Sequence, residues 1–172
     1  PNMPTLDTAV VYPGQVLLEA TNISEGRGTT RPFELFGAPF INAAEVITIL
    51  NQQKLPGCIF REHGFIPTFQ KWQGTFCGGI QIHVTDVKLF RPVQTTAALL
   101  SAIIKLYGDK FKFKDPPYEY EYKKMPFDIL AGDISMREAL INGESAEHIR
   151  TDWEESYKMW DELFKPIAHY PE

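Results

Sequence analysis

Ile80-Gln81-Ile82-His83-Val84-Thr85 alternates apolar and polar residues without a break, and period-two alternation of this kind marks a strand with one face in a core. It commits the chain to at least one sheet, with Ile80, Ile82 and Val84 pointing inward. Gln81, His83 and Thr85 then share the other face, a polar set that suits a cleft better than an interior. Helical patterns lie on either side. Asn42 with Glu45 three residues later reads as a helix start, followed by the stripe Val46, Ile49 and Leu50, and Leu55-Pro56-Gly57 stops it. A second amphipathic helix runs from about Pro92 to Tyr107 through Leu99, Leu100, Ile103 and Ile104, closed by Gly108. Two more follow: one capped by Ser135 with Glu138 and ended by Asn142-Gly143, the other capped by Ser145 and carrying Trp153, Tyr157, Trp160 and Phe164. That last stripe fits a core or domain-interface face better than a platform for sugars.

The remaining segments complete the expectation. Pro4 and Pro13 argue for an extended approach over 1–14, and Gln15 to Thr21 reads as a strand with Val16, Leu18 and Ala20 on one face. Cys58 to Arg61 is a short strand, Phe65 to Phe76 an irregular aromatic stretch, and Asp115 to Pro126 a Pro- and Tyr-rich linker. The sum is an α+β fold, a small mixed sheet packed by several amphipathic helices. With 172 residues there is material for one core and little for a second.

Composition narrows the function classes. A net charge of -5 argues against a nucleic-acid grip, which needs a basic face. No run approaches the roughly twenty apolar residues that span a bilayer, and the start carries no signal-peptide pattern. Neither a nucleic-acid partner nor a membrane span is expected. Cys58 and Cys77 are too few for a disulfide scaffold and are not spaced as a zinc site; whether they pair stays open. No metal and no cofactor are expected. The opening Pro1-Asn2-Met3-Pro4 reads as the middle of a longer chain.

The candidate site is the polar run Glu19 to Glu34. It gathers three carboxylates (Glu19, Glu25, Glu34), two arginines (Arg27, Arg31), Asn22 and the hydroxyls of Thr21, Ser24, Thr29 and Thr30. Gly26 and Gly28 bracket Arg27 and admit positive φ there. Guanidinium for a carboxylate, and short donors and acceptors for hydroxyls, suit a polyhydroxylated or anionic ligand. Surface charges that merely pair with one another are the plainer reading, but long polar loops in compact domains are usually functional or disordered, and the flanking aromatics favour order. The run lacks the Gly-Lys-Ser/Thr ending of a phosphate-binding loop. His83 beside Gln81 is equally well read as an acid-base group or as a half-exposed strand histidine. His63, His148 and His169 read as surface residues, and Cys77 as a small buried hydrophobe rather than a nucleophile. Glu19, Glu25 and Glu34 are candidates for the carboxylate pair that glycoside hydrolysis requires, with a separation the sequence does not give.

Several blocks carry a family resemblance: Pro1 to Thr5, Tyr12-Pro13-Gly14, Leu18 to Glu34, Gly37-Ala38-Pro39, then Phe60-Arg61, Pro67-Thr68-Phe69, Lys71, Gly74, Cys77 and Gly79 to Asp86. They resemble the bacterial exo-β-N-acetylmuramidases of the NamZ type, along essentially the whole chain. The resemblance implies a C-terminal auxiliary domain of a two-domain enzyme: residues 1–14 as the tail of an N-terminal Rossmann-like domain, 15–172 as the C-terminal α+β domain, and the active site in the cleft between. It implies a peptidoglycan-derived sugar as substrate, the N-terminal domain as partner, and a periplasmic or extracellular location. The family's catalytic glutamate belongs to a Gly-Pro-Glu-His-Gly type motif absent here, so no catalytic residue is assigned, and Ala20 departs from the family's usual glycine. The expected substrate-binding set is Glu19, Asn22, Ser24, Glu25, Arg27, Thr29, Thr30, Gln81 and His83, with Arg27 meeting the lactyl carboxylate of N-acetylmuramic acid. Two rivals stand beside this reading: a stand-alone peptidoglycan- or carbohydrate-binding module without catalysis, and an independent hydrolase using Glu25 or Glu19 with His83.

Overall fold

The computed structural model describes residues 3–144 and 156–168. Its sheet has three strands, β1 (Leu35–Ala38), β2 (Cys58–Glu62) and β3 (Gly78–Val84), in the order β1-β3-β2. β3, the alternating segment, lies in the middle with Leu35 opposite Gln81 on one side and Cys58 opposite Val84 on the other. Both pairings are antiparallel, so the α+β expectation holds while the sheet is antiparallel throughout rather than mixed. Ile80 and Ile82 are buried.

Around the sheet pack α1 (Leu6–Gln15), α2 (Ala43–Gln52), α3 (Pro92–Tyr107), α4 (Pro126–Ala131) and α5 (Ser135–Ile141). α3 is the centre of the molecule. It starts on Pro92, whose missing N–H is no loss in a first turn, and it buries Thr95 to Leu100, Ala102, Ile103 and Tyr107, touching α1, α2 and α5. A helix buried on most of its circumference is a core helix. α2 begins as expected: Asn42 Oδ1 accepts from the Ala44 N–H at 3.2 Å and its amide donates to Glu45 at 3.1 Å.

Several expectations are corrected. Residues 6–15 form α1 rather than an extended segment, capped by the Thr5 hydroxyl, which accepts from the Thr8 N–H. Pro13 sits in the last turn and costs the helix the one hydrogen bond its N–H would have given to the residue 9 carbonyl; burial of Val11 in the same core as the rest of the chain favours the helix against that loss. Gly14 makes the α1 to α3 contact possible, because a Cβ there would stand 2.1 Å from the Pro92 carbonyl oxygen. The segment Val16–Ala20 is a 3₁₀ helix, not a strand, and it buries Leu17, Leu18 and Ala20. Adjacent buried leucines break period two, and a run this short does not separate strand from helix by pattern alone.

β1, four residues buried throughout, and α4, within what reads as linker and its continuation, carry no usable periodicity. At α5 Ser135 is the first helical residue rather than the cap, which is Ile134, and just ahead of the helix Asp133 Oδ1 accepts from the Ser135 N–H at 2.7 Å. Residues 156–164 are helical, with Tyr157, Trp160 and Phe164 exposed rather than in the core. Ser145, Trp153, His148 and His169 lie outside the described residues.

Candidate functional site

The polar run is an ordered loop, pinned to its surroundings at Ser24 and Asn22 and closed on itself at Thr29. Ser24 exchanges both backbone hydrogen bonds with Gly37 at 2.8 and 2.9 Å, tying the loop to β1. Asn22 ties it to the segment before α4: its amide donates to the Lys110 carbonyl at 2.8 Å, its Oδ1 accepts from the Lys112 N–H at 3.0 Å, and its own N–H donates to the Lys112 carbonyl. Gly26 and Gly28 take φ of 73° and 81°, the left-handed region where glycine is favoured, and the Thr29 hydroxyl closes the turn on the Gly26 carbonyl at 2.6 Å.

At the centre of the loop Arg27 is held between two carboxylates. Its Nε donates to Glu25 at 2.9 Å and its Nη2 to Glu19, while the guanidinium lies over the Phe33 ring, 5.0 Å from the centroid. Glu25 is almost wholly buried, and its second oxygen accepts from Lys71 Nζ at 2.7 Å. Lys71 also donates to the carbonyls of Leu18 at 2.7 Å and Ile23 at 2.8 Å, so all three ammonium hydrogens have acceptors. Tyr118 donates to the remaining oxygen of Glu19 at 3.2 Å.

The electrostatics follow from this arrangement. Burial pushes the Lys71 ammonium down to about 8 against the opposing pull of Glu25. Burial and the Glu19 charge push the Tyr118 hydroxyl up to about 12. Burial lowers the Arg27 guanidinium, but Glu19 and then Glu25 outweigh it and hold it above its ordinary value. Two carboxylates against one guanidinium and one ammonium leave the cluster neutral. All four oxygens of Glu19 and Glu25 already accept from Arg27, Lys71 or Tyr118, so neither carboxylate presents a free oxygen to a substrate.

Lys71 comes from the aromatic stretch, which is an Ω-loop. Phe65 and Cys77 exchange backbone hydrogen bonds at 3.2 and 2.8 Å and close its ends. Its inner side grips the polar loop through Lys71, through the Trp72 indole N–H to the Asn22 carbonyl at 2.7 Å, and through Thr68 N–H and hydroxyl to the Gly28 carbonyl. The glycine at 28 has a second reason there: a Cβ would come within 2.6 Å of the Thr68 nitrogen.

A cleft of about 210 Å³ opens at the other end of the polar loop, lined by Asp7, Val11, Arg31, Glu34, Gln81, Ile82, His83 and Val84. β1 pairs with β3 only from Leu35 onward, and the rest of that β3 edge faces α1 across the cleft. Glu34 is buried and accepts from the Thr8 hydroxyl at 2.8 Å, the Thr5 hydroxyl at 3.3 Å and Arg31 at 3.2 Å. Arg31 stays well exposed and approaches Asp7 at 3.6 Å. Arg61 donates to Gln81 at 2.5 Å and meets His63 Nδ1 at 3.1 Å.

The nine expected residues therefore fall into separate groups. Glu19, Glu25 and Arg27 form the ionic cluster, and Gln81 with the half-exposed His83 lines the cleft. Asn22, Ser24 and Thr29 direct their side chains to the protein's own backbone, and Thr30 is exposed. Cys58 and Cys77 are both free and buried, and burial pushes the Cys77 thiol up to about 11, which suits a packing role. The sequence reading left Lys71, Trp72 and Tyr118 out of the site. They stand 46 to 99 positions from their partners, and no local pattern announces them; Asp7 was hidden by the misread helix. Arg31 and Glu34 were visible in the run, Glu34 as one of three candidate carboxylates, but neither entered the expected substrate-binding set.

Comparison with known proteins places this geometry in a family. Residues 10–170 match the family model described as exo-β-N-acetylmuramidase NamZ, C-terminal. The chain is 43% identical over 170 residues to the peptidoglycan β-N-acetylmuramidase NamZ of Bacillus subtilis, covering 99% of this chain and 39% of that protein. Two crystal structures of DUF1343 family proteins from Bacteroides fragilis share the fold: BF0371, with a TM-score of 0.84 at 23% identity over 99% of this chain and 44% of that one, and BF0379, with 0.70 at 21% over 100% and 43%. The chain thus spans about two fifths of the length of the relatives it matches. On the family-model match and the fold it shares, the chain belongs to the NamZ C-terminal family.

Proposed function

We propose that this chain is the C-terminal domain of a peptidoglycan glycoside hydrolase that releases terminal N-acetylmuramic acid, and that the loop 19–34 lines one wall of a cleft shared with an N-terminal domain. The observation that carries the reading is the 43% identity to a peptidoglycan β-N-acetylmuramidase along nearly the whole of this chain. The geometry adds two supports. Glu19 and Glu25 hold the guanidinium of Arg27 in one orientation, and its Nη1 has no hydrogen bond among the described residues. That edge suits the lactyl carboxylate, since a fixed donor binds without first losing its own freedom. The cleft of about 210 Å³ beside Gln81 and His83 falls below the 300 Å³ or more of a complete ligand site, as half of a shared site would.

The principal catalytic carboxylate lies elsewhere in this reading, because Glu19 and Glu25 are ion-paired with Arg27 and Glu34 with Arg31. Work on peptidoglycan in turn implies a periplasmic or extracellular setting. The test is hydrolysis by the full-length protein of two chromogenic β-glycosides, one of N-acetylmuramic acid and one of N-acetylglucosamine, which differ by the lactyl group. We expect turnover of the first, and an Arg27→Ala variant about 10- to 100-fold lower in kcat/KM for it, the worth of one charge-assisted contact. The variant's ratio of the two rates should fall by a similar factor. An unchanged rate on the muramic acid glycoside would refute the role of Arg27. Tight muropeptide binding by this chain with no turnover by the full-length protein would favour the binding-module reading.

A further inference from the structure

The Ω-loop has an outer side as well. Ile66, Phe69 and Phe76 project from it with 55, 44 and 64% of their surface exposed. Single exposed apolar residues are ordinary, but three large ones on one closed loop make a contact face. Fraying does not explain their exposure, because the loop is closed at Phe65 and Cys77 and anchored within by Thr68, Lys71 and Trp72.

What covers the face is indicated by length. The relatives are more than twice as long as the stretch that this chain matches, and the matching family model describes their C-terminal part. We propose that Ile66, Phe69 and Phe76, on the outer face of loop 65–77, form the docking surface for the N-terminal domain of the full-length protein. The proposal rests on the two-domain reading above and deepens it by naming the contact. It also links contact to site. The Phe69 nitrogen lies 2.8 Å from where a Cβ on Gly28 would stand, and Lys71, two residues on, grips Glu25 and through it Arg27. A domain seated on the outer face therefore bears on the segment that orients the polar loop.

Carbene footprinting of the full-length protein tests this, with Tyr120, 90% exposed and outside the loop, as internal reference. We expect Ile66, Phe69 and Phe76 to take about tenfold less label than Tyr120, as side chains in a desolvated interface core do. Labelling equal to that of Tyr120 overturns the proposal. A Phe69→Asp/Phe76→Asp variant of the full-length protein should widen in small-angle scattering while its melting keeps a cooperative transition; a variant as compact as the parent overturns the proposal too. So does a dimer in analytical ultracentrifugation that the same substitutions dissolve, since the occupant is then a second copy. Hydrolysis of the muramic acid glycoside is scored separately: a protein that hydrolyses it yet labels fully at the three positions refutes the docking surface alone. One that shields them but leaves the glycoside intact refutes only the reaction.

Discussion

Replacing Lys71 with Met removes an ammonium group while keeping most of the apolar stem. Three acceptors lose their donor together: the carbonyls of Leu18 and Ile23 and the inner oxygen of Glu25. Breaking a buried ion pair from one side costs about 3–5 kcal/mol, and each buried carbonyl left unpaired adds about 1 or more. Glu25 retains Arg27, which moderates the first figure, so a total of about 3–5 kcal/mol is expected. In urea, at a slope of about 2 kcal/mol per M, the unfolding midpoint should fall by about 1.5–2.5 M with the slope unchanged. Adding Glu25→Gln to Lys71→Met should destabilise less than the sum of the two single changes, because the second change removes the orphaned charge.

The pH dependence of the same pair has a definite sign. Lys71 in the folded protein releases its proton at about 8, below the 10.5 of a free lysine. Between those values the unfolded chain holds more protons, so this group makes the native protein more stable as pH rises. The gap between parent and Lys71→Met should therefore widen from pH 8 to 10.5. A loss below about 1 kcal/mol, or a gap that narrows with rising pH, would refute the account of Lys71 as the anchor of the polar loop.

Further outcomes can be measured on the same chain. Gly14→Ala should lower stability by about 1–3 kcal/mol in spite of the helix propensity gained, because its Cβ meets the Pro92 carbonyl oxygen; calorimetry reads the change. Thr8→Val, nearly isosteric, removes a 2.8 Å hydrogen bond to the buried Glu34 and should cost about 1.5–3 kcal/mol by urea titration. Cys77, buried with its thiol pushed up to about 11, should resist a disulfide reagent at pH 8 in the native protein and react promptly in denaturant.

How far the sequence disclosed this structure depended on whether the deciding interaction was local. β3, α2 and α3 follow from periodicity and caps within one window, and their bounds emerge within a few residues of expectation. α1 was lost because its prolines were read as a barrier to any helix, while the Thr5 cap and the burial of Val11 against distant parts of the chain hold the helix in spite of Pro13. The 3₁₀ segment was lost because its apolar residues face an interior formed by distant parts of the chain. The site divides in the same way. Glycines around an arginine, with acids nearby, mark an ordered ligand-like loop in one stretch of sequence. That Arg27 is claimed by its own neighbours, and that Lys71 neutralises the balance, depends on the Ω-loop folding back over the polar one.

α1 and the polar loop are joined at both ends. The C-terminus of the helix passes into the 3₁₀ turn that delivers Glu19, and its N-terminal hydroxyls on Thr5 and Thr8 hold Glu34, where the loop finishes. Ten residues of helix at 1.5 Å of rise give a strut of about 15 Å. The strut sets the distance from ionic cluster to cleft much as a rib holds open an umbrella. One residue inserted into or deleted from α1 would shift that spacing by about 1.5 Å and rotate Thr5 and Thr8 by about 100°, detaching Glu34 while leaving every residue of the loop itself untouched.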